Sequence, residues 1–300
     1  MTILMAINKG GEMLLEGLET LSLLASEGTM AKVASRLYIS QSAVSKRIAQ
    51  LEQRLGKKLI EPEGRQIRLT PQAKELLERV APSLAEMKGV LADSQDLADQ
   101  SPLPIACSET LLAGYLAHFI RDYLERDPHL ALSTHHTPVI LARVRSGDAL
   151  LGICAGRLPP GHGLGADLLL EEPFYLVGEA QQSLPPASAE SRRKILTMDL
   201  ENPSNRYLRE PLADLGLEPA MELDSYLALI ELAKAGIGPV LLPAGLLGLV
   251  GEQGEMARPL PGLGRPLHLV YRPNSLKRER IAKLVSALRK HFRHYSDTPR

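Results

Sequence analysis

Three consecutive helical patterns between residues 14 and 55 constrain the fold of this chain most strongly. Apolar residues recur at helical spacing in each pattern, and capping residues stand at the ends. Gly28 and Gly56 are suited to close the first and third helices, and Thr29 and Ser40 offer hydroxyls to the free amides that open the second and third. The sequence therefore predicts helices over 14–26, 30–37 and 41–55.

The third of these helices has two different faces. Val44, Ile48 and Leu51 fall on one side at steps of four and three residues, which predicts contact with a core. The other side carries short polar or basic side chains, which leave room for a base edge in the major groove of DNA. An ordinary solvated helix face is the alternative interpretation. The candidate DNA contacts on this helix are Gln41, Ser42, Ser45, Lys46 and Gln50.

Positive charge is concentrated in the same part of the chain. Between Ala31 and Lys74 there are ten basic and three acidic residues, a net charge of +7, although the whole chain has 35 of each and no net charge. Residues 59–69 then indicate two short strands around a turn, with Arg65 and Arg68 placed to reach phosphate or the minor groove. A DNA-contacting module needs such local charge to displace counterions from phosphates.

A long helix is predicted directly after these strands. Thr70 followed by Pro71 is a typical helix start, and the helical pattern runs to residue 96, with a bend expected at Pro82. Six apolar residues recur at alternating steps of four and three, a heptad seam that favours pairing with a second copy. A stripe packed into a core of this chain is the alternative. The seam consists of Ala73, Leu77, Val80, Leu84, Met87 and Leu91.

Strand and helix patterns alternate after a polar segment at 98–102, which predicts a parallel sheet with helical crossovers. The two cysteines, Cys107 and Cys154, are too few for a disulfide framework or a cysteine-based zinc site. No metal site and no cofactor is predicted. The sequence has no apolar run long enough for a membrane span and no recognisable export signal, so a cytoplasmic protein is expected.

Two parts of the chain resemble the LysR-type transcriptional regulators, and together they extend from Met13 to the last residue. Residues 18–70 resemble the DNA-binding domain of that family, through Ser40-Gln41-Ser42-Ala43-Val44-Ser45, Leu51-Glu52, Leu55-Gly56 and Arg68-Leu69-Thr70. The later part resembles its effector domain, through Arg145-Ser146-Gly147-Asp148 and Leu232-Ala233-Lys234-Ala235-Gly236-Ile237-Gly238.

The resemblance implies an α plus α/β architecture. A winged helix-turn-helix domain (13–70) and a linker helix for dimerisation (71–97) precede a two-lobed α/β effector domain (102–300) similar to periplasmic binding proteins. The resemblance also implies a homodimer or homotetramer that binds double-stranded promoter DNA and responds to a small-molecule effector. Lobe one would comprise residues 102–173 and 270–300, lobe two residues 174–269, and the connecting strands would cross near 172–177 and 267–272.

The chain departs from the family pattern at four positions. Met30 stands where an aromatic residue is usual, and Ser42 stands where proline is usual. Ala73 replaces a usual glycine. Pro62 stands where arginine is frequent, which weakens the expectation of a phosphate contact at the tip of the wing.

Effector-binding residues are expected where helices begin at the carboxyl ends of parallel strands, because helix N-termini offer free amides to an anion. Thr110 and Thr137 occupy such positions and match family positions that often hold ligand. Capping of the helix is the alternative role of each threonine. A small anionic effector is therefore expected. The further candidates are Ser108 and, from lobe two, Asn202, Arg206 and Tyr226.

Other functions find less support in the sequence. A regulator with a vestigial pocket is one alternative, and an enzyme or a small-molecule-binding protein on the same α/β fold is another. No glycine-rich phosphate loop, nucleophile elbow or metal-ligand cluster points to an enzyme. His135 and His136, beside Thr137, could contact a ligand or a metal, but they fit ordinary strand-end residues better. Nothing beside Cys107 or Cys154 would lower a thiol pKa for a redox switch. The sequence favours a ligand-gated, sequence-specific transcription regulator.

Overall fold

The structure, a computed structural model, describes residues 2–64, 66–94, 97–98, 100–178, 192–251 and 257–296. Within these ranges, side chains are described from Met13 to Tyr295. The chain divides into two compact units, one that ends at Met87 and one that begins at Lys88. Among the described residues, no helix is both long and apolar enough to cross a membrane.

Three helices, an antiparallel two-stranded wing and the following helix up to Met87 form the first unit, which contains a winged helix-turn-helix. The helices pack around a core that includes Leu21, Val44 and Ile48. The amide of Ile67 in the wing donates to the carbonyl of Gly28, at 2.9 Å. The elements are α1 (Thr2–Glu27), α2 (Met30–Leu37), α3 (Gln41–Leu55), β1 (Ile60–Glu63) and β2 (Gln66–Leu69).

The predicted capping residues are confirmed. Thr29 and Ser40 each accept, through the side-chain oxygen, the amide three residues later. Gly56 ends α3 with a φ of 64°, a left-handed conformation that favours glycine. The predicted start of α1 near Leu14 is wrong, since the helix begins at Thr2. The helix continues through Gly10 and Gly11, a pair that usually marks a turn, so the local sequence does not indicate this extension.

The fourth helix, α4 (Pro71–Ser94), begins where the sequence predicts and continues through Pro82. Thr70 Oγ1 accepts the amide of Ala73 at 3.2 Å and donates to the carbonyl of Lys58 at 2.9 Å. Part of the heptad seam packs against the core of the first unit, and this part comprises Ala73, Leu77, Val80 and Leu84. These four of the six seam residues therefore stabilise the chain's own domain. The exposed large apolar residues of α4 are Met87, Val90 and Leu91.

One mixed sheet runs through the second unit. Its strands are β3 (Leu103–Cys107), β4 (Leu130–Thr134), β5 (Leu151–Ala155), β6 (Gly165–Val177), β7 (Arg193–Met198), β8 (Leu217–Leu223), β9 (Val240–Pro243) and β10 (Arg258–Tyr271). They lie in the order β4-β3-β5-β10-β6-β9-β7-β8. The parallel strands β3, β4 and β5 belong to lobe one, and the parallel strands β7, β8 and β9 belong to lobe two. The antiparallel strands β6 and β10 pair with each other between the two sets.

Helices cover the sheet of each lobe. The last helix packs on lobe one through Leu284, Leu288 and Phe292, which are buried. The helices are α5 (Glu109–Leu111), a π-helical turn (Leu112–Leu116), α6 (Ala117–Leu124), α7 (Thr137–Ser146), α8 (Arg209–Asp214), α9 (Tyr226–Lys234) and α10 (Glu279–Ser296). Three 3₁₀ turns lie at Arg206–Leu208, Ala244–Leu249 and Pro273–Lys277.

Two parts of the sheet differ from the sequence prediction. Strand β8 was not predicted, because Pro219 and two glutamates interrupt its apolar pattern. As the edge strand of the sheet it tolerates proline and charge. The connecting strands are also longer than the predicted crossings, since β6 begins at Gly165 and β10 begins at Arg258. The length of both strands is hidden in the sequence, because acidic residues interrupt the apolar pattern of β6 and prolines and glycines interrupt that of β10.

Candidate DNA-binding surface and effector cleft

The N-terminal half of α3 presents polar side chains to solvent. Gln41, Ser45 and Lys46 are exposed, and Gln50 is half-buried. Ser42 is exposed as well, but its Oγ lies 2.8 Å from that of the capping Ser40, so its hydroxyl is shared with the helix cap. The structure thus brings all five predicted residues of this helix to accessible positions, away from the buried core face.

The wing carries one described arginine of the predicted contact set. Arg68 is exposed, and its guanidinium lies 3.1 Å from Glu61 and 3.5 Å from Glu63. A DNA phosphate would have to compete with these two carboxylates for the guanidinium. The other predicted wing contact, Arg65, lies outside the described residues.

Glu52 ties the wing to α3. Its carboxylate accepts hydrogen bonds from Lys58 Nζ and from the amide of Leu59, each at 2.8 Å. Burial acts to raise the pKa of Glu52, but hydrogen bonds from Lys58, Leu59 and Ile60 outweigh it and the pKa is lowered. The carboxylate therefore stays ionised near neutral pH and holds the first wing strand against the helix.

Tyr38 is a surface feature that the sequence analysis missed. It follows α2 with a φ of 55°, a left-handed backbone that is uncommon for tyrosine, and its side chain is 94% exposed. Tyrosine hydroxyls are among the groups that bind DNA phosphates. Because no glycine marks this turn, no local signal in the sequence points to it.

A cleft of about 410 Å³ opens between the two lobes, at the carboxyl ends of β3, β4 and β5. This volume suits a small molecule. Five of the six predicted effector residues line it, namely Ser108, Thr110, Thr137, Asn202 and Tyr226. The sixth, Arg206, is not part of the cleft wall, and the prediction for it is corrected. Its exposed guanidinium lies on a 3₁₀ turn, 3.6 Å from the carboxylate of Glu201.

Neither predicted threonine caps its helix. Ser108 is the residue before α5 and His136 is the residue before α7, and neither side chain makes a capping hydrogen bond. Thr137 Oγ1 instead donates to a carbonyl of β5 at 2.9 Å. Thr110 Oγ1 accepts from Arg265 Nη2 at 3.2 Å. Both hydroxyls thus connect the helix starts to neighbouring strands at the cleft.

Arg265 and Glu172 form a buried ion pair beside the cleft, which Arg265 also lines. Burial acts to lower the pKa of Arg265, but the adjacent Glu172 carboxylate outweighs it and the pKa is raised. Glu172 Oε1 accepts the hydroxyl of Tyr115 at 2.8 Å and the amide of Gly245 at 2.7 Å. The Glu172 carboxylate therefore accepts hydrogen bonds from lobe one, from lobe two and from β10. Sequence reasoning missed this pair because its members are 93 residues apart.

The two histidines after β4 also line the cleft. Among the described residues, His135 Nε2 is buried without a hydrogen-bond partner. Burial, and then the charges of Arg143 and His136, lower the pKa of His135. The lowered pKa favours the neutral form of this ring near neutral pH. The described part of the chain contains no group of three or more histidine, cysteine or acidic residues arranged to hold a metal.

A larger open groove of about 1400 Å³ runs along α6 and α10. Two ion pairs lie along it, Arg280 with Asp127 at 2.6 Å and Lys283 with Glu279 at 2.8 Å. None of the six predicted effector residues lines this groove. The smaller cleft is therefore the better candidate for an effector site.

Comparisons with known proteins agree on one family. The description "Bacterial regulatory helix-turn-helix protein, lysR family" matches residues 15–74, and "LysR substrate binding domain" matches residues 98–293. An "Uncharacterized HTH-type transcriptional regulator" of Vibrio cholerae is 43% identical over 279 residues, 92% of this chain and 96% of the relative. The regulator YfeR of Shigella flexneri is 28% identical and covers 87% of this chain and 88% of its own length.

Solved structures share the fold. Full-length OxyR C199D of Pseudomonas aeruginosa superposes with a TM-score of 0.63 at 18% identity, over 93% of this chain and 94% of that one. ArgP of Mycobacterium tuberculosis gives a TM-score of 0.55 at 20% identity, over 92% and 96%. The sequence relatives are named as transcriptional regulators and not as enzymes. The chain belongs to the LysR family of transcriptional regulators, with an N-terminal helix-turn-helix domain that binds DNA and a C-terminal substrate-binding domain.

Proposed function

We propose that this regulator binds a specific site in promoter DNA through α3 and the wing, and that a small effector in the cleft changes this binding. The DNA-binding domain would comprise residues 13–70, the linker helix residues 71–97 and the effector domain residues 102–300. The observation that carries the proposal is that the same chain holds an open cleft between two lobes and an exposed polar face on α3.

On α3, Gln41 is the proposed base-reading residue, because a glutamine amide can pair with an adenine edge through two hydrogen bonds. Lys46 can reach guanine or a phosphate. Ser45 and Gln50 would add polar contacts, and Ser42 is small enough to let a base edge approach. The wing arginines, Arg65 and Arg68, are proposed to contact the DNA backbone.

The proposed assembly is a homodimer or homotetramer. Met87, Val90 and Leu91 on α4 leave apolar surface exposed at neighbouring helical positions. Coverage of such a stripe by a second copy would remove it from water. Two recognition helices would then address a dyad-symmetric DNA site.

The charges at the cleft suggest which effectors it would accept. Arg265 is the cation among the described residues that line the cleft, and it can bind a carboxylate-like group next to Thr110. Glu172 balances this charge, and Glu109 and Asp224 also line the cleft. We therefore propose a small effector with one acidic group and a remainder that is neutral or positively charged.

A regulator with a vestigial pocket is the second candidate function. A cleft filled by its own side chains would favour it, whereas this cleft is open and lined by hydroxyls, amides and two histidines. The open cleft supports the gated function instead.

A thermal-shift screen of the full-length protein tests the effector site. The probes are the common amino acids and matched 2-hydroxy and dicarboxylic acids, each at one fixed concentration. A binder present at about 100 times its Kd stabilises the folded state by roughly 2.7 kcal/mol, enough for a clear rise in Tm. Thr110→Val should abolish the rise, and Arg206→Ala, outside the cleft, should keep it. A Tm rise that both variants retain, or no rise with any probe, would contradict the proposed site.

A further inference from the structure

One side of the last two turns of α4 packs against the effector domain, while Val90 and Leu91 on the other side are exposed. Residues 88–94 belong to the second compact unit, and Gly89, Ala92 and Asp93 share one side of the helix. A Cβ added to Gly89 would lie 2.2 Å from the carbonyl oxygen of Arg145, so the helix backbone approaches the end of α7 directly. A Cβ added to Gly147 would lie 2.6 Å from that of Ala92. This contact depends on small residues from both elements.

A buried ion pair fixes the same contact. Arg272 donates from Nη2 and Nε to the two carboxylate oxygens of Asp93, at 2.6 and 3.0 Å, and both side chains are 8% exposed. Arg272 Nη1 donates to the carbonyls of Val144 and Ala149. Bidentate charge-assisted pairs of this kind are strong and directional. Arg272 therefore holds α4 and the end of α7 in one geometry.

Arg272 directly follows β10, the strand that carries Arg265 into the cleft. The two arginines are seven residues apart, a span of about 23 Å in a strand. Over this span β10 pairs with β6 from Arg265 to Tyr271, with a register shift between Leu267 and His268, and with β5 from Leu267 to Tyr271. A displacement of Arg265 would therefore be passed toward Arg272 through a strand that is paired on both edges from Leu267 onward.

We propose that β10 couples the cleft to α4. Arg265 senses the group that occupies the cleft beside Thr110, and the Arg272–Asp93 pair transmits the change to the last two turns of α4. This inference rests on the proposed function, because it takes the cleft as the effector site and α4 as the linker to the DNA-binding unit. It adds the point at which the effector domain acts on that linker.

The first test removes the pair at the α4 end. Asp93→Asn keeps the shape of the side chain and removes its charge, and amide hydrogen exchange of the full-length protein is followed at residues 88–94. We expect exchange to rise about tenfold or more, the loss expected for a charge-assisted hydrogen bond. Asp127→Asn is the matched control, since its carboxylate pairs with Arg280 at comparable burial on another part of the domain. The control should leave exchange at 88–94 unchanged.

The second test perturbs the cleft and reads α4. Arg265→Lys, or Thr110→Val if the lysine variant does not fold, should also raise exchange at 88–94, and should add nothing when Asp93→Asn is already present. Additive effects, or exchange at 88–94 that follows only global stability, would overturn the coupling. Neither DNA nor effector enters these measurements. Failure of the coupling therefore leaves the proposed function standing, and absence of specific DNA binding would leave the coupling intact.

Discussion

Arg265, on β10, donates its Nε hydrogen to Glu172, on β6, and the two side chains are 6% and 0% exposed. Removal of the arginine alone would leave a buried carboxylate without its counter-charge. Arg265→Met should therefore lower the free energy of unfolding by about 3–5 kcal/mol, and the double variant with Glu172→Gln should lose less. Urea unfolding of the full-length protein measures both.

A surface ion pair supplies the control for this prediction. Lys283 and Glu279 are largely exposed, so Lys283→Met should change stability by no more than about 0.5 kcal/mol. If Arg265→Met costs no more than this control, the buried pair does not stabilise the connection between the lobes.

The two cysteines should be unreactive in the native protein. Cys107 and Cys154 are fully buried, and burial raises their pKa values to about 11 and about 12, with Cys154 raised further by Cys107. Thiolate is the reactive form, so native protein at pH 8 should react with a disulfide reagent only on the time scale of unfolding. Two thiols should react at once in denaturant. Rapid labelling of the native protein would restore the redox hypothesis.

The pair between Asp127 and Arg280 predicts a loss of stability in acid. Hydrogen bonds from Arg280 lower the pKa of Asp127 in the folded protein. The stabilisation is therefore complete above the unfolded value of about 3.9 and is lost as the pH falls through the folded value. Asp127→Asn should be less stable than wild type at pH 7, and the difference should shrink below about pH 4.

The matched control carries no titrating group. Ile281→Val removes one buried methylene beside Arg280 and should cost about 0.5–1.5 kcal/mol at every pH at which the protein folds. A gap between wild type and Asp127→Asn that stays constant down to pH 3 would show that the pair does not titrate as described.

Thr70 should matter for the DNA-binding domain through its hydroxyl. Its Oγ1 accepts the amide of Ala73 in the first turn of α4 and donates to the carbonyl of Lys58, two residues before β1, so one side chain connects the helix start to the segment that leads into the wing. Thr70→Ala should destabilise the domain by about 0.5–2 kcal/mol, as loss of a helix cap does, and Thr70→Ser should retain most of the stability. Thermal unfolding compares the two, and equal losses would assign the effect to packing of the methyl group.

Much of the fold could be predicted because its signals are local. The helices of the first unit follow from apolar spacing and from capping by Thr29 and Ser40. The unpredicted strand β8 shows where such reasoning stops, since Pro219 and its glutamates are acceptable only at a sheet edge. Edge position is a property of the sheet topology, which local patterns do not contain.

The residues of the cleft also fall into two groups, those that local patterns predict and those that depend on the assembled sheet. Ser108, Thr110 and Thr137 could be predicted, because they stand where strands give way to helices. Arg265 and Glu172 lie inside strands, where alternating polar residues usually face solvent. Their burial depends on the antiparallel pairing of β6 with β10 and on donors from both lobes. Only the assembled sheet reveals that pair.

Specific DNA recognition by α3 can be tested with a matched pair of variants. Gln41 and Gln53 are both exposed glutamines of this helix, one at its first residue and one near its end. Only Gln41 belongs to the proposed contact surface. Both substitutions to alanine remove the same chemical group from the same helix.

The most direct measurement is an electrophoretic mobility shift of the full-length protein on its own upstream intergenic DNA, at fixed salt, with unrelated competitor DNA. We expect a discrete shifted band that resists the competitor DNA. Gln41→Ala should weaken it by about 5- to 150-fold, the loss of one bidentate base contact, whereas Gln53→Ala should stay close to wild type. No binding to any DNA at low salt, or equal weakening by both variants, would contradict the claim.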